Sequence, residues 1–142
     1  MIEINNLTSD KINKKFLKKV IEKVLKKESK NKKNLSVAIV EEKIIRNLNK
    51  KYRKKDLPTD VLTFGKSKKF INIPHLGEMI ICPKVVRKNS RKFKVTFKKE
   101  LTRVLIHGIL HLLDFDHEKS KIKAEKMAEK EEYYLKLCQD LK

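Results

Sequence analysis

Cysteine is scarce in this sequence, and no segment of it has the pattern of a secretion signal or a membrane span. The two cysteines, Cys82 and Cys138, form no C-x-x-C pair. This usage is typical of a reduced compartment, where both are expected to be small buried apolar groups. The N-terminus has no basic segment followed by an apolar run, and every apolar stretch is too short to cross a bilayer. We therefore expect a soluble cytoplasmic protein that does not enter a membrane.

Arginine is also uncommon, although the chain is strongly basic. Lysine and arginine number 37 against 18 acidic residues, a net charge of +19, yet only five of the basic residues are arginine. A charge of this size favours polyanionic partners, with nucleic acid first and an anionic membrane surface second. The alternative is codon bias, because an AT-rich genome produces lysine, isoleucine and asparagine in excess. The charge is compatible with an RNA partner and does not establish one.

No internal repeat or interdomain linker divides the 142 residues, and 39% of them are hydrophobic. A chain of this size can bury a core of its own, so residues 1–142 are predicted to form a single domain. Strand and helix patterns mix without strict alternation, which predicts an α+β fold. We expect a small mixed β-sheet of about four strands flanked by helices, with a central apolar helix that carries two metal-ligand histidines.

Periodicity and capping residues give the predicted bounds of the elements. Strands are predicted at Ile2–Ile4, Leu35–Val40, Val61–Phe64 and Met79–Cys82. Helices are predicted after an N-cap within Thr8–Asp10, over Glu41–Tyr52, from a Thr96 cap to Leu113, and over Ser120–Leu141. Residues 83–91 are predicted to be a short helix or an irregular connection, and 66–69 an exposed turn.

Three of the four histidines fall within eleven residues, in the segment LTRVLIHGILHLLDFDH. His107 and His111 are four residues apart in the predicted apolar helix, so both rings point to one side, roughly 6 Å apart along the axis. His117 follows after a predicted helix end, and a turn there would bring it back to the same point. Packed core histidines are the alternative, but the clustering on one face favours a metal site. His75, in NIPHLG, is expected to be a solvated loop residue.

Three neutral imidazoles and a water molecule make an open, catalytic type of zinc site, since a structural site takes four protein ligands. Such a site lowers the pKa of its bound water to near 7. One zinc ion per chain is expected, with other divalent metals as alternatives and no further cofactor. Asp116 is the candidate to accept an N–H from a ligating ring and fix its tautomer; capping of the turn is its alternative role. Asp114 is expected at a left-handed position after the helix.

The residue after the first histidine argues against a protease. The H-x3-H-x5-H spacing also occurs in metzincin proteases, where a glutamate directly after the first histidine is the general base. Gly108 stands at that position here. A zinc peptidase is therefore disfavoured, although it stays a rival hypothesis.

The sequence resembles the YbeY family, metal-dependent endoribonucleases of bacterial ribosomal RNA maturation. The matching segments are LNKKYRKKDLPTDVLTF (48–64), LGEMIIC (76–82) and IHGILHLLDFDH (106–117). The resemblance covers about residues 35 to 135. It implies zinc on the three histidines, cleavage of single-stranded RNA, and work on the ribosomal small subunit, including maturation of the 3′ end of its RNA and ribosome quality control.

Arg53 matches a functionally important arginine of that family. A guanidinium near the metal would clamp a phosphate and stabilise charge that develops in the transition state; an ordinary surface charge is the alternative. Thr59 and Asp60 are expected to shape the turn before the third strand and to line the cleft, and Lys55 and Asp56 to form a local ion pair. The sequence departs from the usual family pattern at Asp114, Glu78 and Gly65, where glycine, aspartate and proline are usual.

The sequence provides no secure general base, so hydrolysis by water and transesterification by the RNA 2′-hydroxyl both stay open. A non-enzymatic ribosome-associated factor, in which zinc mainly stabilises the fold, is a rival from another class. A monomer is expected.

Overall fold

The structure is a computed structural model that describes residues 1–65, 75–115 and 120–142. Within these residues it contains four strands and five helices in one chain order: β1 (Ile2–Asn6), α1 (Lys14–Lys27), β2 (Asn34–Ile39), α2 (Glu42–Arg53), β3 (Val61–Gly65), β4 (His75–Ile81), α3 (Pro83–Lys92), α4 (Phe97–Leu112) and α5 (Lys121–Cys138). The predicted turn at 66–69 lies outside the described residues. None of the described helices is both long enough and apolar enough to span a bilayer.

The four strands form an open mixed sheet in the order β1-β2-β4-β3. The pairs β1–β2 and β2–β4 are parallel, whereas β3 runs antiparallel to β4. Alternate residues of β2 are buried, as expected for a strand with one covered face. The prediction of an α+β fold with a small mixed sheet is therefore confirmed.

Hydrophobic clusters lie on both faces of the sheet, but only the larger one fully buries residues of β2. The larger cluster joins β2 and β4 to α1, α4 and α5. The smaller one lies on the other face, where Ile45 of α2 packs with Val40 and Leu62. Cys82 and Cys138 are both buried and unpaired, as predicted.

Helix α4 lies at the centre of the larger cluster. Thr96 caps it by accepting a hydrogen bond from the backbone N–H of Lys99 at 3.1 Å, as the sequence predicts. Its contacts extend to α1, α3, α5, β3 and β4. The most deeply buried side chains of this helix, all exposed by 1% or less, are Val104, Leu105, Ile106, Ile109 and Leu110.

The first helix begins later than predicted. Its N-cap is Asn13, which accepts a hydrogen bond from the N–H of Phe16 at 3.1 Å, so the predicted cap within Thr8–Asp10 is wrong. Thr8 instead donates its hydroxyl to Asn6 Oδ1 at 2.7 Å. Short polar side chains stabilise local turns as readily as helix starts, and here the buried stripe that starts at Phe16 decides where the helix begins.

Glu28, directly after α1, ties that helix to α5. Its Oε2 accepts a hydrogen bond from Lys130 Nζ at 2.7 Å and another from the hydroxyl of Tyr134. Burial by itself would raise the pKa of Glu28, but these two hydrogen bonds and the charge of Lys130 hold it below its ordinary value. A carboxyl group whose pKa is lower in the folded state stabilises the fold where it is ionised.

Replacement Glu28→Gln is expected to lower the free energy of unfolding by about 1.5–3 kcal/mol at neutral pH, because Lys130 and Tyr134 lose a charged acceptor. The difference from wild type should shrink as the pH falls below about 4.5, the ordinary pKa, and vanish below the native pKa, where Glu28 is protonated. Urea unfolding followed by circular dichroism at several pH values measures it. Glu22→Gln, at an exposed position of α1, is the control; a loss that is independent of pH would contradict the expectation.

Candidate active site

The face of α4 that looks away from the core carries the two helical histidines. Nε2 of His107 and Nε2 of His111 lie 3.0 Å apart, and the rings meet edge to face with centroids 4.5 Å apart. A tetrahedral zinc ion about 2.0–2.1 Å from each nitrogen would hold the two roughly 3.3 Å apart. The pair therefore fits two ligands of one ion, although it meets no third candidate ligand in the described residues.

The third predicted ligand, His117, and the predicted supporting carboxylate, Asp116, lie outside the described residues. Their places in the site stay predictions. The helix end before them does have the backbone that the sequence predicts. Asp114 has a φ of 68°, in the left-handed region, and follows the last turn of α4. A left-handed residue at this point turns the chain back from the helix axis.

Glu131 of α5 contacts Nδ1 of His107, the ring nitrogen that does not face His111. Its Oε1 accepts a hydrogen bond from Nδ1 of the ring. With the ring proton on Nδ1, the lone pair of Nε2 faces His111, which is the tautomer that a metal ligand needs. Glu131 cannot be recognised from the sequence, because it lies 24 residues from His107 on a highly charged helix and has no local signal there.

Arg53, the last residue of α2, reaches the same site from the opposite side. Lys54 ends the helix in a left-handed conformation with a φ of 61°, and the ring of Tyr52 packs edge to face on Phe64 of β3. These contacts place Nη2 of Arg53 3.5 Å from the carbonyl oxygen of Thr63. The guanidinium is exposed to solvent and lines a cleft with both helical histidines.

Thr59 and Asp60 line the same cleft, where the sequence predicts them. The hydroxyl of Thr59 donates to Asp60 Oδ1 at 3.3 Å, and the carbonyl oxygen of Asp60 accepts from the N–H of Cys82 at 3.0 Å. The predicted ion pair of Lys55 with Asp56 is wrong. Asp56 instead pairs with Arg46 at 3.0 Å, because the loop folds back along α2.

The cleft has two lobes that share Arg53, Thr63 and His111 in their walls. The small lobe, about 240 Å³, is lined otherwise by Thr59, Asp60, Val61, Arg103, Val104 and His107. The large lobe, about 630 Å³, is lined otherwise by Lys30, Lys33, Gly65, His75, Leu76, Leu112, Leu113 and Asp114. Both volumes count only walls that the structure describes. His111 and Arg53 lie where the lobes meet, and His107 lies beside them in the small lobe.

His75 is not the loop residue that the sequence analysis expected. It is the first residue of β4, it is half-buried, and it lines the large lobe. Strand β4 begins four residues before the predicted Met79. Gly77 interrupts the alternating pattern there, with a φ of 147° and with Phe64 O only 2.4 Å from where a Cβ would stand. The tight approach of β3 to β4 requires this glycine, which hides the strand from a periodicity argument.

Gly108 faces the sheet and not the cleft. A Cβ at this position would lie 2.7 Å from Cε and 2.9 Å from Sδ of Met79. A glutamate here would therefore point into the core of the protein, away from the histidine nitrogens. The structure thus adds a packing reason to the sequence argument against a metzincin-type general base.

Arg103 is a second arginine in the cleft that the sequence analysis did not single out. Its Nε and Nη2 donate to the two carboxylate oxygens of Glu100, at 3.0 and 2.6 Å. Hydrogen bonding and charge from Glu100 raise the pKa of Arg103. The residue lies one helical turn before His107, a spacing that would have revealed it.

Fold and cleft together define a class: a small α+β protein in which a buried helix presents paired histidines to an arginine across a polar cleft. The family model described as "Endoribonuclease YbeY" matches residues 3–139. The chain belongs to the YbeY endoribonuclease family.

Individual relatives agree with this membership. A protein named Endoribonuclease YbeY from Thermotoga sp. (strain RQ2) is 43% identical over 102 residues, which cover 72% of this chain and 65% of that protein. Another, from Aquifex aeolicus (strain VF5), is 41% identical over 105 residues, 74% of this chain and 70% of that protein. The chain thus spans about two thirds of the length of these relatives. A solution structure of a Thermotoga maritima protein superimposes with a TM-score of 0.69 at 38% identity, covering 97% of this chain and 89% of that one.

Replacement Asp114→Gly is expected to raise the free energy of unfolding by about 1 kcal/mol, because glycine adopts the left-handed conformation without the steric cost of a Cβ. Thermal unfolding of both proteins under identical conditions measures the change. Asp114→Ala is the matched control, since it removes the same carboxylate and keeps the Cβ. An equal gain in both variants would mean that charge, and not backbone conformation, is responsible.

Proposed function

We propose that this chain is a metal-dependent endoribonuclease that cleaves single-stranded RNA during ribosomal RNA processing, including 3′-end maturation of the small-subunit RNA, and in ribosome quality control. The observation that carries the proposal is that His107, His111 and Arg53 line one lobe of the cleft together. Two nitrogens at metal-binding separation opposite a guanidinium suit a phosphodiester better than a peptide bond. Membership of the YbeY family supports the same choice.

His107, His111 and His117 would hold one divalent ion, zinc in the first place, and Glu131 would keep His107 in the binding tautomer. When bound, such an ion supplies a Lewis acid for a phosphoryl oxygen and a water of lowered pKa. Arg53 binds the phosphate and stabilises the negative charge that grows on it. No described side chain of the cleft is assigned as general base. The candidate nucleophiles are a water molecule and the RNA 2′-hydroxyl.

The cleft suits an extended strand. Its two lobes extend from His111 in different directions, and Lys30 and Lys33 line the large lobe. Cations along a groove follow the phosphates of a single strand without reading its sequence. We propose that the protein is a monomeric single domain in the cytoplasm. Its partner is the small ribosomal subunit, and it does not bind a membrane.

Purified protein is expected to contain one zinc ion per chain and to cleave single-stranded RNA. His111→Ala should lose both the metal and the activity. Arg53→Ala should keep the metal and lose about 10²–10³-fold in kcat, the cost of one charge-stabilising donor. Elemental analysis, together with cleavage of a labelled RNA on denaturing gels, measures both properties.

Arg91→Ala is the matched control for that series, because Arg91 is an exposed arginine of α3 that does not line the cleft in the described residues. Equal cleavage by all variants would point to a contaminating nuclease.

A strong drop in melting temperature for His107→Ala, with cellular RNA processing intact in Arg53→Ala, would favour the ribosome-associated factor. Cleavage of protein but not RNA would revive the peptidase. A 2′,3′-cyclic phosphate product would exclude direct attack by water.

Replacement Glu131→Ala is expected to weaken zinc binding about 10–100-fold, the usual cost when a ligating histidine loses its supporting partner. Competition with a chelating dye measures the affinity directly, without any activity assay. Glu132→Ala removes the neighbouring carboxylate, which is exposed and points away from His107 into a different cavity. Equal affinities in the two variants would refute a role of Glu131 in holding the ligand.

A further inference from the structure

Arg103 shares the active face of α4 with the two histidines. Residues 103, 107 and 111 follow at intervals of four, so their side chains stack along one side of the helix. Arg103 and His107 both line the small lobe, whereas His111 lies at the junction of the lobes. The helix thus places a cation about one turn, roughly 5–6 Å, from the histidine pair.

A buried carboxylate fixes the orientation of this arginine. The side chain of Glu100 is 2% exposed, and that of Arg103 is 35% exposed. Nε and Nη2 are both occupied by Glu100. The remaining edge of the guanidinium, which includes Nη1, makes no hydrogen bond to the described residues and is available to the lobe. Glu100 therefore fixes the orientation of Arg103 and leaves the Nη1 edge of the guanidinium for a ligand.

The position of Glu100 in the first turn of α4 favours the helix, but it does not by itself require an arginine partner held by two hydrogen bonds. Burying a carboxylate is costly, and apolar residues of similar volume often serve the fold as well or better. Because the guanidinium is held by two hydrogen bonds before any ligand arrives, it loses little side-chain entropy on binding one. A pre-oriented arginine edge at the wall of a polar cleft is typical of recognition of phosphate.

We propose that Arg103 binds a second backbone phosphate of the RNA strand, next to the one held at Arg53 and the histidine pair. The inference rests on the proposed function and adds a direction to it: the strand continues from the junction into the small lobe. Asp60 and Glu131 carry negative charge near Arg103. They confine the phosphate to the open edge of the guanidinium, because closer approach to either carboxylate is repulsive.

The double replacement Glu100→Gln with Arg103→Gln tests this contact at constant net charge, since one negative and one positive charge are removed together. It also avoids leaving Glu100 buried without its partner. The matched control is Asp10→Asn with Arg87→Gln, which neutralises another ion pair, 3.6 Å long, outside the cleft. Binding of a short fluorescent single-stranded RNA is followed by anisotropy between about 50 and 200 mM salt, and only readings taken before gels detect cleavage of the probe are used.

The Glu100/Arg103 variant is expected to bind roughly tenfold more weakly, and the slope of log affinity against log salt should shrink by about 0.7, one phosphate contact. The control should keep the wild-type slope. An unchanged slope and affinity in the folded Glu100/Arg103 variant would overturn the proposal while wild-type RNA binding left the proposed function intact. Failure of wild type to bind RNA would overturn both. If the double variant does not fold, Arg103→Lys decides: weaker binding at an equal slope supports the oriented guanidinium, and unchanged binding refutes it.

Discussion

The packing of α4 against the sheet and three other helices is the constraint on which the site depends. Burial of a leucine or isoleucine side chain stabilises a fold by about 1.5–3 kcal/mol, and several such side chains of α4 are fully buried. A rotation of the helix about its axis by one residue would bring some of them to the uncovered face. The core therefore fixes the one face that it leaves uncovered, and with it the direction of Arg103, His107 and His111.

Close approach of α4 to β4 links this packing to the chemistry. Gly108 lies against Met79, and because it has no side chain, α4 packs closely on β4. Met79 is fully buried, and its partner in β3 is Thr63, whose carbonyl oxygen lies near Arg53. The depth at which α4 sits thus influences how the histidine pair faces Arg53. A larger residue at 108 would disturb the core first, and the site through it.

Local features of the sequence predicted what local interactions determine. The spacing of His107 and His111, the Thr96 cap and the left-handed Asp114 depend on residues a few positions away, and all three have the predicted backbone. Glu131 depends on how α5 docks, and nothing nearby separates it from other acidic residues of that helix. The sequence predicts a loop at His75, because Gly77 breaks the strand pattern for a reason visible only when β3 and α4 are in place.

The positions of the arginine side chains say more about a ligand than the net positive charge of the chain. Lysine excess is what codon bias would produce, so lysines spread over exposed helix faces say little about a ligand. Arginine is not enriched by that bias, and the chain has only five. Arg46 and Arg87 form ion pairs outside the cleft, whereas Arg53 and Arg103 both line the lobe beside the histidines. The position of these two arginines, and not the net charge, is therefore the stronger electrostatic argument for a phosphate-bearing ligand.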